Sequence, residues 1–393
     1  MRILVLTHNY PRFAGDPAGF YVARLAEAAA GAGHEVQVLA PHVRGTPAEE
    51  RGPGGLLVRR FRYAPDALER VGYRGDVRSR TLFAPLTLLL LPFFLNAFRR
   101  QARWMEREFR PDVVHAHWWF PAGWIAARLG TPYLVTSHGS DARLLDRGSW
   151  FRAMARPVYR RAARVTTASR FLAADLERRV GPLSHPVHVT PMPVEVERFA
   201  RGVDAPRAAP PRILYAGNLV PGKGVDVLLA AAGELKRRGT SFRIRILGEG
   251  PELGPLRALA ERQGIAGDVE WSPFVSRDAM PAEYGAATVT VLPSRGQAEG
   301  LGLTLVEALL AGSAVVGTPA GGIPEVVEDG VTGFLARDGD AAHLAERLGQ
   351  LLADASLRRR LVTAGAERMR DTYAPAAAAG RFFELYQAVA ERR

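Results

Sequence analysis

Ile213-Leu-Tyr-Ala-Gly-Asn-Leu-Val-Pro-Gly-Lys-Gly-Val225 joins a short apolar run to a glycine-bearing loop and then to a helix-period stretch that continues to Arg238. Three consecutive apolar side chains, Ile213–Tyr215, suit a strand buried on both faces. The loop Gly217–Gly224 supplies a turn in which backbone can approach a ligand. Downstream the theme repeats, with strands expected at Arg243–Leu247, Val269–Trp271, Val289–Leu292 and Ala314–Gly317. Upstream it appears once more: strand Ile3–Thr7, an Ala-rich helix over Gly19–Ala32, and strand Val36–Ala40. Val113–Ala116, Tyr133–Thr136 and Val165–Thr167 continue that first series. Strands alternating with helices argue for βαβ units and parallel sheets. The expected fold class is therefore α/β, with two Rossmann-like doubly wound domains facing across an interdomain cleft and ligands at the carboxyl ends of the strands. Arg201–Pro211, with Pro206, Pro210 and Pro211, reads as a linker. The expected domains are 1–205 and 206–375, with the terminal helix 376–393 packing back on the first.

Composition narrows the options. The chain has 393 residues, 47% hydrophobic and 23% charged, which excludes a disordered or fibrous protein. It has no cysteine, so disulfides, thiolate metal sites and a Cys nucleophile are all excluded. The net charge of +12 lies in the first half: residues 1–200 hold 29 basic and 17 acidic side chains, whereas the rest hold 23 of each. The basic residues gather in Arg51–Arg80, Arg99–Arg110 and Arg152–Arg164, a surface suited to an anionic membrane or a polyanionic partner. A non-catalytic polyanion-binding protein is the remote alternative, but no nucleic-acid motif accompanies the arginines. Met1-Arg2 followed by Ile3–Leu6 is too short for a signal peptide. Leu82–Phe98 is apolar except for Thr87 and Asn96, yet Pro85 and Pro92 interrupt it. A core helix and shallow membrane insertion both fit that run. A cytoplasmic enzyme is expected, peripheral on the inner face of the cell membrane if the basic half meets lipid.

The chemistry concentrates in Glu299-Gly-Leu-Gly-Leu-Thr-Leu-Val-Glu307, which follows Pro293-Ser294 and is expected to open a helix to about Leu310. Gly300 and Gly302 permit close approach, and first-turn N–H groups with the helix dipole favour a phosphate. Glu307 is placed to accept hydrogen bonds from ribose hydroxyls while Glu299 faces a sugar. The bland alternative is a cap at Glu299 and a solvated Glu307. No metal constellation is visible; Asp338-Gly-Asp340 precedes a helix, where Asp340 reads as a cap.

Together with Ala308-Leu-Leu-Ala-Gly312, Gly321-Gly-Ile-Pro-Glu325 and Gly330-Val-Thr-Gly333, this stretch resembles the donor domain of GT4-type (group 1) retaining glycosyltransferases, which have the GT-B fold. Ala216–Gly224 resembles the family's glycine–basic–basic loop, and Leu247-Gly-Glu-Gly-Pro251 its next strand end. Pro111-Asp-Val-Val-His-Ala-His117 and Ser137-His-Gly-Ser-Asp141 match the acceptor half, so the likeness covers nearly the whole chain. It implies a nucleotide-diphospho-sugar donor (UDP- or GDP-sugar), no required cofactor or metal, and a lipid-linked or polysaccharide acceptor in envelope or exopolysaccharide assembly. It also implies that Glu299, His138 and Lys223 carry the reaction, Lys223 meeting the diphosphate. Gly300, Leu301, Gly302, Leu303, Thr304 and Glu307 would hold the donor, with Gly248 at the neighbouring strand end. His117 and Asp141 are acceptor-side positions, although a fold-stabilising role suits His117 and Asp112 better and Asp141 equally reads as a cap. Two departures stand out. Asn218 occupies the place where most members have an arginine, leaving Arg295 as a candidate substitute. Gly15-Asp-Pro-Ala-Gly19 replaces the usual Gly-Gly, so Gly15 and Gly19 either approach the diphosphate or serve only the turn. A nucleotide-sugar epimerase or hydrolase of the same fold is the competing enzyme reading.

Overall fold

The computed structural model describes residues 1–391 except 14, 17, 70, 72–84 and 298. The segment 82–84 of the apolar run and 72–80 of the first basic stretch lie outside the described residues. The chain divides into two units, Met1–Pro193 with Pro375–Arg393, and Val194–Ala374.

The first unit begins with β1 (Arg2–Leu6), α1 (Phe20–Gly31), β2 (Glu35–Pro41), β3 (Glu49–Arg51), β4 (Leu57–Phe61) and α2 (Pro85–Phe109). It continues through β5 (Val113–His117), α3 (Trp124–Ala126), β6 (Tyr133–Ser137), α4 (Ser140–Leu144), α5 (Ser149–Arg161), β7 (Arg164–Thr167), α6 (Arg170–Val180) and β8 (Val187–Val189). Its sheet runs β3-β4-β2-β1-β5-β6-β7-β8, parallel except for the β3–β4 pair. Ile3, Leu4 and Leu6 of β1 are fully buried, because helices cover both faces of a central parallel strand. The strand order reverses between β1 and β5, which puts a ligand crevice at their carboxyl ends.

The second unit holds α7 (Val196–Ala200), β9 (Arg212–Ala216), α8 (Val225–Arg237), β10 (Arg243–Leu247), α9 (Leu253–Arg262), β11 (Val269–Ser272) and α10 (Met280–Ala286). There follow β12 (Val289–Leu292), α11 (Leu303–Leu310), β13 (Ala314–Gly317), α12 (Ile323–Val326), β14 (Phe334–Leu335), α13 (Ala341–Ala353) and α14 (Ala355–Tyr373). Its sheet is wholly parallel in the order β11-β10-β9-β12-β13-β14, with the reversal between β9 and β12. The last helix, α15 (Pro375–Ala390), returns to the first unit. It buries Ala378, Ala379, Phe382, Tyr386 and Val389 at helical spacing, and the Tyr386 hydroxyl meets His115 Nδ1 at 2.8 Å.

Three expectations change. The division falls at Pro193 rather than at residue 205, because Val196 and Phe199 of α7 are buried within the second unit. Arg201–Pro211 is not a free linker: Gly202 is buried against the Pro281 carbonyl, and the Arg207 guanidinium donates to the Ala287 and Gly312 carbonyls. The apolar run does not divide into a core or a membrane helix as a whole. α2 splits lengthwise instead, burying Leu90, Phe94, Phe98, Ala102 and Met105 and exposing Leu88, Leu89 and Phe93. Among the described residues, no helix is long and apolar enough to cross a membrane.

Candidate active site

In the second unit the reversal between β9 and β12 gathers Gly217, Ser294 and the segment Glu299–Thr304 at one end of the sheet. The helix starts later than the sequence suggests. α11 begins at Leu303 with Gly302 as its N-cap, at φ 91°, so Glu299 stands in the loop before the helix and does not cap it. Glu299 is 8% exposed. Its Oε1 accepts from the Lys223 ammonium and, at 2.7 Å, from Ser294 Oγ. Ser294 is fully buried, and the Thr318 hydroxyl donates to its carbonyl. Lys223 stands in a short turn, Pro221–Lys223, just before α8, with its side chain 18% exposed. The chain therefore brings together a carboxylate and an ammonium that are 76 positions apart, just before the start of α11. That combination favours an anion such as a phosphate, which the ammonium meets as a point charge.

Glu307 lies on α11, but it is not a solvated position. It is 8% exposed, receives Arg277 Nη1 at 3.2 Å and Tyr284 Oη at 3.1 Å, and burial pushes its carboxyl up against the pull of Arg277. Leu301 is buried beside this site, and Thr304 Oγ1 stands 3.5 Å from the Ala216 carbonyl. Gly248 sits where an added Cβ would lie 1.9 Å from the Gly217 carbonyl oxygen, so close packing of two strand ends explains the glycine. Asn218 is exposed, with its carbonyl bonded by Tyr215. Arg295 forms a solvent-facing pair with Asp226 at 2.7 Å, and its backbone N–H donates to the Gly222 carbonyl of the Lys223 turn at 3.0 Å.

In the first unit the ends of β1, β5 and β6 carry a cluster of imidazoles. His117 Nδ1 lies 3.1 Å from His138 Nε2, and the His138 ring packs on Trp118 and Tyr21. Burial lowers His138 to about 3, with the neighbouring His8 adding to the effect, and lowers His8 to about 4. His115 and His117 also fall well below the ordinary histidine range through burial. These rings are neutral near pH 7, so His138 can donate or accept a hydrogen bond but cannot supply a charge. His117 is fully buried and holds His138 rather than reaching outward. Of the two readings of Asp141, the contacts in the structure are those of a scaffold residue. Trp119 N, Ser137 Oγ, His138 N and Tyr159 Oη all donate to it, at 3.1, 2.9, 3.0 and 3.4 Å, which uses the capacity of a carboxylate. Asp112 likewise ties down the N-terminus, accepting from Arg2 N at 2.7 Å. Gly19 has φ 62°, and a Cβ there would stand 2.1 Å from the Asn9 carbonyl oxygen, so the turn itself demands glycine. Gly15 has φ 82° in a loop organised by Asp16, which accepts from Arg12 Nε at 2.6 Å and Ala18 N at 3.1 Å.

Sequence reasoning missed Ser294, Arg277, Tyr284, Tyr21 and Trp118. Two left a trace: Ser294 closes the strand before the glutamate stretch, and Trp118 adjoins the His-Ala-His run; Trp118 adopts φ 66°, a costly conformation for tryptophan at a strand end. The structure also assembles His42, Asp66 and Glu69, which the sequence did not bring together as metal donors. Arg62 pairs with Asp66 and stands 3.2 Å from His42 Nε2, and His42 Nδ1 meets Glu69. A guanidinium already supplies the cation there, so the group is an ion-pair network. Asp340 caps α13, accepting from His343 N at 2.9 Å, while Asp338 accepts from Gly296 N at 2.9 Å.

The chain resembles known proteins over both units. The profile described as "Glycosyl transferases group 1" matches residues 197–368, and "Glycosyltransferase Family 4" matches residues 18–198. The D-inositol 3-phosphate glycosyltransferase of Streptomyces scabiei is 31% identical over 390 residues, covering 90% of this chain and 82% of its own. The GDP-mannose-dependent alpha-(1-6)-phosphatidylinositol monomannoside mannosyltransferase of Mycolicibacterium smegmatis is 29% identical over 377 residues, covering 90% and 89%. Among solved structures, Anabaena Alr3699/HepE in complex with UDP and glucose superposes with a TM-score of 0.71 at 18% identity, covering 98% of this chain and 99% of its own.

Proposed function

The chain belongs to the group 1 (GT4) family of glycosyltransferases, with the GT-B fold, and from that premise we propose that it moves a sugar with retention of configuration from a UDP- or GDP-sugar to a lipid-linked or polysaccharide acceptor. The observation that carries this reading is the pairing of Lys223 with Glu299 beside the start of α11. The second unit binds the donor: Lys223 and the first amides of α11 receive the diphosphate, Glu307 receives the ribose, and Glu299 faces the sugar. As the glycosidic bond breaks, negative charge grows on the departing phosphate, and the ammonium is worth more there than in the ground state. The departing phosphate itself helps deprotonate the acceptor hydroxyl, so the protein positions and stabilises without a separate strong base or a metal. On the first unit, neutral His138 offers a directed hydrogen bond to a sugar.

The acceptor reading rests on the relative named for phosphatidylinositol monomannoside, a lipid, and on the surface of α2. Its exposed Leu88, Leu89 and Phe93 lie along the helix from exposed Arg99, Arg100, Arg103 and Arg107, a pattern suited to an anionic lipid surface in the cytoplasm and to envelope or exopolysaccharide assembly. Incubation of the full chain with UDP- and GDP-sugars tests the whole proposal. Nucleoside diphosphate should be released in proportion to added acceptor, with EDTA making no difference and the product keeping the donor's anomeric configuration. Rapid donor turnover without acceptor would instead make the protein a hydrolase or epimerase. With the acceptor embedded in vesicles, the rate should rise with anionic lipid content and fall with salt; indifference to both would remove the membrane part.

A further inference from the structure

Glu307 does not stand alone at the base of the donor site. Arg277, in the loop between β11 and α10, spans two carboxylates, donating Nη1 to Glu307 Oε1 at 3.2 Å and Nε to Glu195 Oε2 at 2.7 Å. Tyr284 on α10 donates to the other oxygen of Glu307 at 3.1 Å, and the Phe199 ring of α7 lies under the guanidinium at 5.3 Å. The Arg277, Glu195 and Glu307 side chains are only 10–12% exposed, so each depends on its partners for the solvation it has lost. One donor on each oxygen fixes the rotation of the carboxylate and leaves each oxygen a further lone pair.

We propose that Arg277 is a positioning residue for ribose recognition: it orients Glu307 and keeps it a charged double acceptor for the two vicinal hydroxyls of the donor's ribose. This rests on the reading that Glu307 meets that ribose. Around Glu307 stand Arg277 from its loop and Tyr284 from α10. Behind them are Glu195 and, paired to it at 3.2 Å, Arg198, which also meets Asp278 at 3.3 Å. Three carboxylates thus face two guanidinium groups. Without Arg277, burial and the like charge of Glu195 would favour the protonated form of Glu307, with the Tyr284 hydrogen bond left to oppose them. A protonated acid presents a hydrogen to the diol and loses most of its accepting capacity.

Equilibrium binding to the full chain tests this with UDP, GDP and ADP, followed by the 2′-deoxy form of whichever binds tightest. Each affinity is expressed as a ratio to wild type at pH 8 and pH 6, so that phosphate ionisation cancels. Wild type should prefer the ribonucleotide by ~10-fold, the worth of a hydrogen bond to a charged group. Arg277→Met should lose that preference and weaken further, relative to wild type, at pH 6; Arg277→Lys should recover part of both. If Arg277→Met fails to fold, Arg277→Gln, which drops the charge and keeps hydrogen bonding, provides the same comparison. Full ribose preference and unchanged relative affinity at both pH values in the Arg277 variants, together with its loss in Glu307→Gln, would overturn the inference and leave the site reading intact. Undiminished preference in Glu307→Gln, or no nucleotide binding by wild type, would sink the reading beneath it.

Discussion

Replacing Lys223 with alanine lowers the rate of sugar transfer by about 10²–10³-fold, the usual cost of removing one group aimed at charge that develops in the transition state. The structure makes the effect specific. Lys223 already lies against Glu299 in a partly buried site, so its ammonium is held rather than wandering in solvent. When a diphosphate enters, the same charge can turn from the carboxylate to the phosphate at little conformational cost. Lys223→Arg should recover only part of the rate, because a planar fork does not reproduce a compact point charge. A purely structural lysine would behave differently. If its task were only to neutralise Glu299, then Lys223→Ala combined with Glu299→Ala would restore activity that either change removes. We expect the double variant to be no better than the single ones, since residues that act as a unit are non-additive. Ser294 still donates to Glu299 when Lys223 is gone, so folding should survive with a loss of about 1–3 kcal/mol. Steady-state rates of the three variants, with thermal melts as a control, decide the matter.

The second large effect is on stability. The first unit keeps His8, His115, His117 and His138 neutral by burial, whereas the unfolded chain protonates them near the ordinary histidine value. Folded pKa values below the unfolded one mean that the unfolded state binds more protons as pH falls. The stabilisation is therefore complete above about pH 6.5 and is lost progressively on acidification, toward about 4 for His8 and about 3 for His138. At pH 5 each of those two costs about 2 kcal/mol relative to neutral pH. Denaturation followed by tryptophan fluorescence suits the test, since Trp271 is the only one of the six tryptophans outside the first unit. Stability should drop steeply between pH 7.5 and 5, and His138→Gln should flatten that slope. A flat profile, or an unchanged slope in the variant, would contradict the account.

Much of the architecture was legible because parallel strands buried on both faces must be apolar throughout; Ile213–Tyr215 and Ile3–Leu6 announce themselves in this way. The glycine loop before α8 and the Glu299–Glu307 stretch were legible because close backbone approach restricts residue type. Other features were hidden by physics that no local pattern records. Arg277 acquires its meaning from Glu195, 82 positions away, and from Glu307, 30 positions away, and nothing around it repeats. The prolines of Arg201–Pro211 looked like a linker because proline marks irregular backbone, but irregular backbone can still be packed, as Arg207 and Gly202 are. The run Leu82–Phe98 is apolar nearly all round, so periodicity did not reveal which side of α2 would be covered. Asp141 stayed open between two readings, since its four donors come from Trp119, Ser137, His138 and Tyr159 and only folding brings them together.

Diffraction from crystals soaked in a UDP- or GDP-sugar tests the central claim most directly. The account predicts diphosphate density beside Lys223 and the first amides of α11, with the ribose against Glu307 and the sugar toward Glu299. Occupied nucleotide density elsewhere on the chain, with Lys223 still bound to Glu299, would contradict it.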